Sequence, residues 1–132
     1  MNTREAFNFT PADGVPPSVA PFSHAVRWGD LLFVTGQMPT VPETGELVSG
    51  DVVEQTRQVL KNLSAVLGQF GACLDDVLMT RVFLVNFADF PKVNEEYVRW
   101  FHKPLPGRTC VGVTGLAAGA SIEIDFVVGL KK

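Results

Sequence analysis

The sequence predicts a single α+β domain, a mixed β-sheet with two helices on one face, in the order β-β-α-β-α-β-β. Two segments, 51–70 and 89–101, repeat apolar residues at helical spacing. Around them lie five short runs of strand character, at 25–28, 31–35, 77–85, 108–114 and 121–128. The 132 residues supply one core and leave no room for a second, and no repeat, low-complexity tract or linker interrupts the span 1–132.

The first 24 residues carry Pro11, Pro16, Pro17 and Pro21, which fix φ and remove amide donors, so an extended leading segment without a core element is expected. Ala25-Val26-Arg27-Trp28 and Leu31-Leu32-Phe33-Val34-Thr35 flank Gly29-Asp30 and read as a hairpin with Gly29 at positive φ. The stretch from Gly36 to Gly50, rich in Pro, Gly, Thr and Glu, reads as an ordered surface loop. From Asp51 to about Phe70, residues such as Val52, Val59, Leu63, Val66 and Phe70 form one apolar stripe; Asp51 with Glu54 resembles a capping box, and Gly71 falls just past the end.

Val77 to Val85 is apolar on both alternations, which predicts a central strand covered on both faces. Asp89 to Phe101 is the second helix, with Asp89 as N-cap and Phe90, Val93, Tyr97, Trp100 and Phe101 on one side. The last two strands, Arg108 to Thr114 and Ser121 to Val128, are separated by the Gly- and Ala-rich run 115–120. Two helices cover only one face of such a sheet, so the apolar residues of the other face predict self-association.

Composition narrows the partners. The net charge is −3 and the Lys and Arg residues are scattered, so no basic stripe for nucleic acid is expected. The N-terminus lacks a basic stretch followed by an apolar run, and no apolar run approaches the roughly 18 residues of a membrane span, so a cytoplasmic protein with no membrane partner is expected. Cys73 and Cys110 lack a C-x-x-C partner and read as reduced thiols; His24 and His102 have no second His or Cys at ligand spacing, so no metal is expected.

Alternation in the last strand puts Ile122, Ile124, Phe126 and Val128 toward the helices and Glu123, Asp125 and Val127 away from them. In the preceding strand Arg108, Cys110 and Gly112 share a face. If the Arg108 and Glu123 faces coincide, a guanidinium, a thiol and a carboxylate converge. The two residues then form either a site or a buried ion pair that joins two strands, and spacing alone leaves both open.

A wider pattern bears on that choice. Pro21-Phe22-Ser23-His24-Ala25-Val26, Leu32-Phe33-Val34-Thr35-Gly36-Gln37-Met38-Pro39, Thr44-Gly45-Glu46, Val93-Asn94, Pro106-Gly107-Arg108-Thr109-Cys110-Val111 and Ile122-Glu123-Ile124, in this order and spacing, resemble the RidA/YjgF family of reactive intermediate deaminases. The resemblance implies a chorismate-mutase-like fold, a homotrimer with sites between subunits, and hydrolysis of reactive imines or enamines to keto acids and ammonia without a cofactor. It implies that Arg108 grips the carboxylate of a small substrate, that Glu123 positions or activates the attacking water, and that Cys110 borders the ligand. It also places Thr35, Gly36 and Asn94 at the site.

Two positions depart from the family pattern. Phe22 stands where a Tyr is frequent, which removes a hydroxyl and makes the pocket more apolar, and His24 stands where Gln is frequent. The run His102-Lys103-Pro104-Leu105 is also short. The resemblance therefore admits a 2-iminopropanoate-type substrate, a larger catabolic enamine such as aminomuconate, or a protein that binds a metabolite without turning it over. Cys110 reads as a small buried hydrophobe rather than a nucleophile, and His24 as a structural or solvated loop residue.

Overall fold

The computed structural model describes residues 3–131. Strands β1 (Glu5–Phe7), β2 (Ala25–Trp28) and β3 (Leu31–Gln37) are followed by helix α1 (Val52–Gly68), strand β4 (Val77–Leu84), helix α2 (Phe90–Val98), and strands β5 (Gly107–Gly112) and β6 (Ile122–Gly129). They form one sheet in the order β1-β2-β3-β6-β4-β5, parallel between β4 and β5 and antiparallel elsewhere. The parallel pair follows from topology: α2 and its loops carry the chain back from the end of β4 to the start of β5.

The alternation of β6 is as read from the sequence. Ile122, Ile124, Phe126 and Val128 are buried and the residues between them are half-exposed. That buried row, with Leu32, Val34, Val82 and Leu84, meets Val59, Leu60, Leu63 and Leu67 of α1, while Tyr97 of α2 stacks on Phe101, which abuts Phe126. Both helices therefore lie on one face. The other face presents Phe33, Met79, Arg81, Phe83, Glu123, Asp125 and Val127, and Phe33 is 44% exposed. β4 is an interior strand, one place from the edge, and its outward residues remain open in the single chain.

Several local expectations are corrected. The leading segment does contribute to the core: β1 pairs with β2, Phe7 and Phe9 pack edge-on against Phe70, and Val15 is fully buried. The prolines keep an α-helix out of the segment, where a single 3-10 turn spans Pro11–Asp13, but leave extended pairing open to residues that precede them. Gly36 and Gln37 belong to β3, across a bulge, rather than to the loop. Asp51 caps α1 by accepting from the Val53 and Glu54 amides, but Glu54 pairs with Arg57 instead of closing a capping box. Asp89 makes no side-chain cap; Asn86, three residues earlier, accepts from the Ala88 amide and starts the 3-10 turn 87–89 that leads into α2. Gly29 and Gly71 both take positive φ, at 61° and 66°, as the turns there require.

Buried polar groups of α1 tie the surrounding chain to the helix. Asn62, fully buried, donates to the carbonyls of Met38 and Thr40, and Gln55 accepts from the Ser121 amide at the start of β6. These bonds fix the two stretches that flank Gly36 and Glu123.

Candidate functional site

The edge strand β5 runs beside β4 with Thr80 opposite Arg108 and Val82 opposite Cys110. Thr80 and Val82 face the helices, so Arg108 and Cys110 do too. Arg108 Nη2 donates to Asn94 Oδ1 of α2 at 2.6 Å, and its guanidinium carbon lies 4.6 Å from the centre of the Tyr97 ring and 5.6 Å from that of Phe90. Tyr97 is itself pinned by a 2.9 Å hydrogen bond to the Thr80 hydroxyl, and burial pushes its phenol up, so it stays neutral beneath the cation. Asn94 and Tyr97 reach the same side chain because they are three apart on one helix. No other hydrogen bond engages Arg108 among the described residues, which leaves guanidinium donors for a carboxylate.

Glu123 lies opposite Phe83 on the open face of the sheet. Its side chain runs over Gly36: a Cβ at that glycine would come within 2.4 Å of Glu123 Oε2. A side chain at position 36 would have to displace the Glu123 carboxyl. Burial, with Asp125 adding to it, raises the Glu123 carboxyl above the ordinary range, against a smaller opposing influence of Arg81. The Asp125 carboxylate is gripped by Arg81. Thr35, Gly36, Arg81 and Asp125 line one open concavity of about 540 Å³ on this face. Thr35 uses its hydroxyl as donor to the Ser23 carbonyl at 2.6 Å, leaving the oxygen able to accept. Phe22, 37% exposed, shares a narrow cleft with Gly36 and Gln37.

The expected residues thus fall into two groups. Asn94, Arg108 and Cys110 stand on the helix side of the edge strand; Thr35, Gly36 and Glu123 stand on the open side, with Phe22 beside Gly36. The faces of Arg108 and Glu123 do not coincide. Their β4 neighbours, Thr80 and Phe83, are an odd number of residues apart and so point to opposite sides. The same parity excludes a buried ion pair between Arg108 and Glu123 of one chain. Within one chain the Arg108 guanidinium and the Glu123 carboxyl stand on opposite faces of the sheet.

His24 is a fastener rather than a reactive group. It is 2% exposed, its Nδ1 accepts from the Phe9 amide at 2.9 Å, and its Nε2 is 2.8 Å from the Pro16 carbonyl, which only accepts; the proton therefore sits on Nε2. Tyr97 and the Arg81–Asp125 pair were not singled out from the sequence, although the Asn94–Tyr97 spacing is a signal that could have marked the former. Among the described residues no three His, Cys, Asp or Glu side chains gather in a way that could hold a metal ion, and no helix is long and apolar enough to cross a membrane.

Comparison with known proteins bears on this arrangement. Residues 14–129 match the family model described as Endoribonuclease L-PSP. A RutC family protein of Pyrococcus horikoshii is 41% identical over 115 residues, 87% of this chain and 91% of that protein. A protein of Dermatophagoides farinae named 2-iminobutanoate/2-iminopropanoate deaminase is 34% identical over 116 residues, covering 88% of this chain and 91% of that one. The crystal structure of RidA from an Antarctic Psychrobacter superposes with a TM-score of 0.89 at 32% identity, over 96% of this chain and 99% of that chain.

Proposed function

The chain belongs to the RidA/YjgF family, and from that premise we propose that it hydrolyses reactive 2-imino or enamine acids of the 2-iminopropanoate type to 2-keto acids and ammonia. The site is shared between copies in a closed homotrimer, where the Arg108 side of one chain meets the Glu123 side of the next. The observation that carries the reading is the placement of a guanidinium with spare donors and a carboxyl of raised pKa on opposite faces of one sheet. A rotation that repeats and closes brings such unlike faces together once per interface.

In this reading Arg108, oriented by Asn94 and Tyr97, takes the substrate carboxylate through its remaining donors. Glu123 receives a proton from a water whose oxygen bonds to the imine carbon. Glu123 passes that proton to the nitrogen to give a carbinolamine, and as the C–N bond breaks the carbinolamine hydroxyl proton travels through Glu123 to the departing amine, which leaves as ammonia while the oxygen stays as the keto group. A carboxyl held above its ordinary range is a better base than a free one and also a source of that returned proton near neutrality. No cofactor takes part. Thr35 and the amides beside Cys110 border the substrate, and Phe22 forms an apolar wall. The net charge of −3 and scattered cations keep nucleic acid outside the proposal.

Ammonia release from freshly generated 2-iminopropanoate, measured beside a Glu123→Gln variant, tests the reading. Release above the uncatalysed rate that falls in the variant supports it. No release from the wild type, with pyruvate still bound, points to a metabolite-binding protein, and release only from a bulkier enamine points to a catabolic substrate.

A further inference from the structure

Beside Glu123 stands an ion pair that the proposed chemistry leaves unused. Arg81 Nε donates to both Asp125 oxygens at 3.0 Å, and its Nη2 lies 2.5 Å from Oδ2. The Asp125 side chain is 16% exposed and that of Arg81 62%. In the register of β4 with β6, Arg81 is opposite Asp125 and Phe83 is opposite Glu123. Arg81 is therefore the diagonal neighbour of Glu123, about 7–8 Å away along the backbone and within reach of a long side chain. The charged groups of this chain that face Glu123 are Asp125 along β6 and Arg81 from β4; β3 offers Thr35 and Gly36, which do not titrate. In the shared site Arg108 of a second copy also approaches, committed to the substrate carboxylate.

We propose that Asp125 is a positioning residue that holds the Arg81 guanidinium in a fork and keeps it off Glu123, leaving the Glu123 carboxyl free for the attacking water. The inference rests on the reading of Glu123 as the water-activating group. A cation on Glu123 would favour its ionised form, weaken it as a base and occupy the oxygen that the water needs. Among the described residues Glu123 makes no hydrogen bond or ion pair, whereas the nearest cation is already committed to its neighbour. That Asp125 raises the Glu123 carboxyl more than Arg81 lowers it accords with a cation held aside.

The test follows the Glu123 carboxyl directly, by carbon-13 NMR titration of glutamate-labelled protein with the resonance identified by its loss in Glu123→Gln, alongside the pH dependence of ammonia release. Three proteins are compared: wild type, Asp125→Asn, and Asp125→Asn with Arg81→Leu. In Asp125→Asn the freed guanidinium moves to Glu123, and its titration shifts to lower pH by about one unit or more. Ionised Glu123 is the working form, so the rate falls as pH falls through its pKa. The acid limb of ammonia release therefore moves down with the titration, and the plateau rate drops. Removing Arg81 as well returns most of the shift. Coincident titrations in the single and double variants, or an unmoved Glu123 in Asp125→Asn, overturn the proposal. Should Asp125→Asn fail to fold, Arg81→Leu alone leaves an unpaired Asp125 and is expected to move Glu123 to higher pH; no movement there overturns it equally. A wild type that releases no ammonia, with the Glu123 resonance still moving in Asp125→Asn, removes the deaminase reading and leaves the holding role standing.

Discussion

Arg108 lies beside Thr80 under α2, and Glu123 lies beside Phe83 on the opposite side of the same sheet. If each site takes its guanidinium from one copy and its carboxylate from the next, two inactive variants should rescue each other. After subunit exchange of equal amounts of Arg108→Leu and Glu123→Gln protein, half of the Arg108 positions and half of the Glu123 positions are wild type, so about one quarter of the sites combine both. Ammonia release should recover to about that fraction, and light scattering should give three times the chain mass. Activity that stays absent in a mixture shown to exchange would sink the shared site.

In the proposed site the Arg108 guanidinium acts by its shape as well as its charge. Arg108→Lys keeps the positive charge but loses the planar fork and the stacking on Tyr97, 4.6 Å away. Pyruvate affinity, read by calorimetry, should fall about tenfold or more, equivalent to about 1.4 kcal/mol. The melting temperature should change little, because the lost groups face a half-open edge strand. A large loss of stability with unchanged affinity would assign Arg108 to the fold instead.

Gly36 fixes where Glu123 can be. A Cβ there would meet Oε2 at 2.4 Å and the side chain's Cδ at 2.9 Å, so Gly36→Ala must push the carboxyl aside. The obstacle is the far end of a flexible side chain, so the fold should survive. A displacement of about 1 Å at a reacting group costs on the order of 10²-fold in rate. Turnover should therefore fall by about that factor while the melting curve stays close to wild type; retained turnover would place the water-activating group elsewhere.

Periodicity carried most of this arrangement, because the sides of β6 and the stripe of α1 follow from spacing alone. The relation between Arg108 and Glu123 was not legible in that way. Each strand's alternation was correct, but which face of β5 matches which face of β6 depends on the register of both with β4, and register is set by tertiary pairing. Arg81 escaped notice for a related reason: its partner Asp125 is 44 residues away in sequence. The contribution of Phe7, Phe9 and Val15 to the core was hidden by the prolines around them, whose backbone constraint says nothing of where the intervening side chains pack.

Glu96 holds the two helices together and should make stability depend on pH. It is 5% exposed, accepts from Trp100 Nε1 at 3.0 Å and pairs with Arg57 of α1 at 3.2 Å. Burial raises its carboxyl, but the Trp100 and Arg57 bonds outweigh that and hold it below the ordinary value. A depressed folded pKa gives stability that is complete above the unfolded value, about 4.3, and is lost as pH falls through the folded one. Glu96→Gln should cost about 2 kcal/mol at pH 7, and the two unfolding curves should converge as the pH is lowered below about 4. A constant difference across that range would separate the stabilisation from the charge of Glu96.

The substitution most informative about substrate choice is Phe22→Tyr. Phe22 is 37% exposed and stands edge-on to His24, with ring centres 6.4 Å apart. Both nitrogens of His24 are engaged, by the Phe9 amide and the Pro16 carbonyl, so neither is free to capture an added phenol. The new hydroxyl should face the cleft beside Gly36, where it can meet a ligand. A polar group at a pocket wall discriminates between substrates that satisfy it and those that leave it unpaired. The ratio of kcat/KM between a hydroxylated imino acid and 2-iminopropanoate should therefore rise several-fold, a change of about 1 kcal/mol. Stability should stay within about 0.5 kcal/mol of wild type, as for other exposed positions. Ammonia release from both imino acids, generated in the same assay, measures the ratio directly. Identical ratios in the two proteins would take residue 22 out of the site and leave the apolar wall to other side chains.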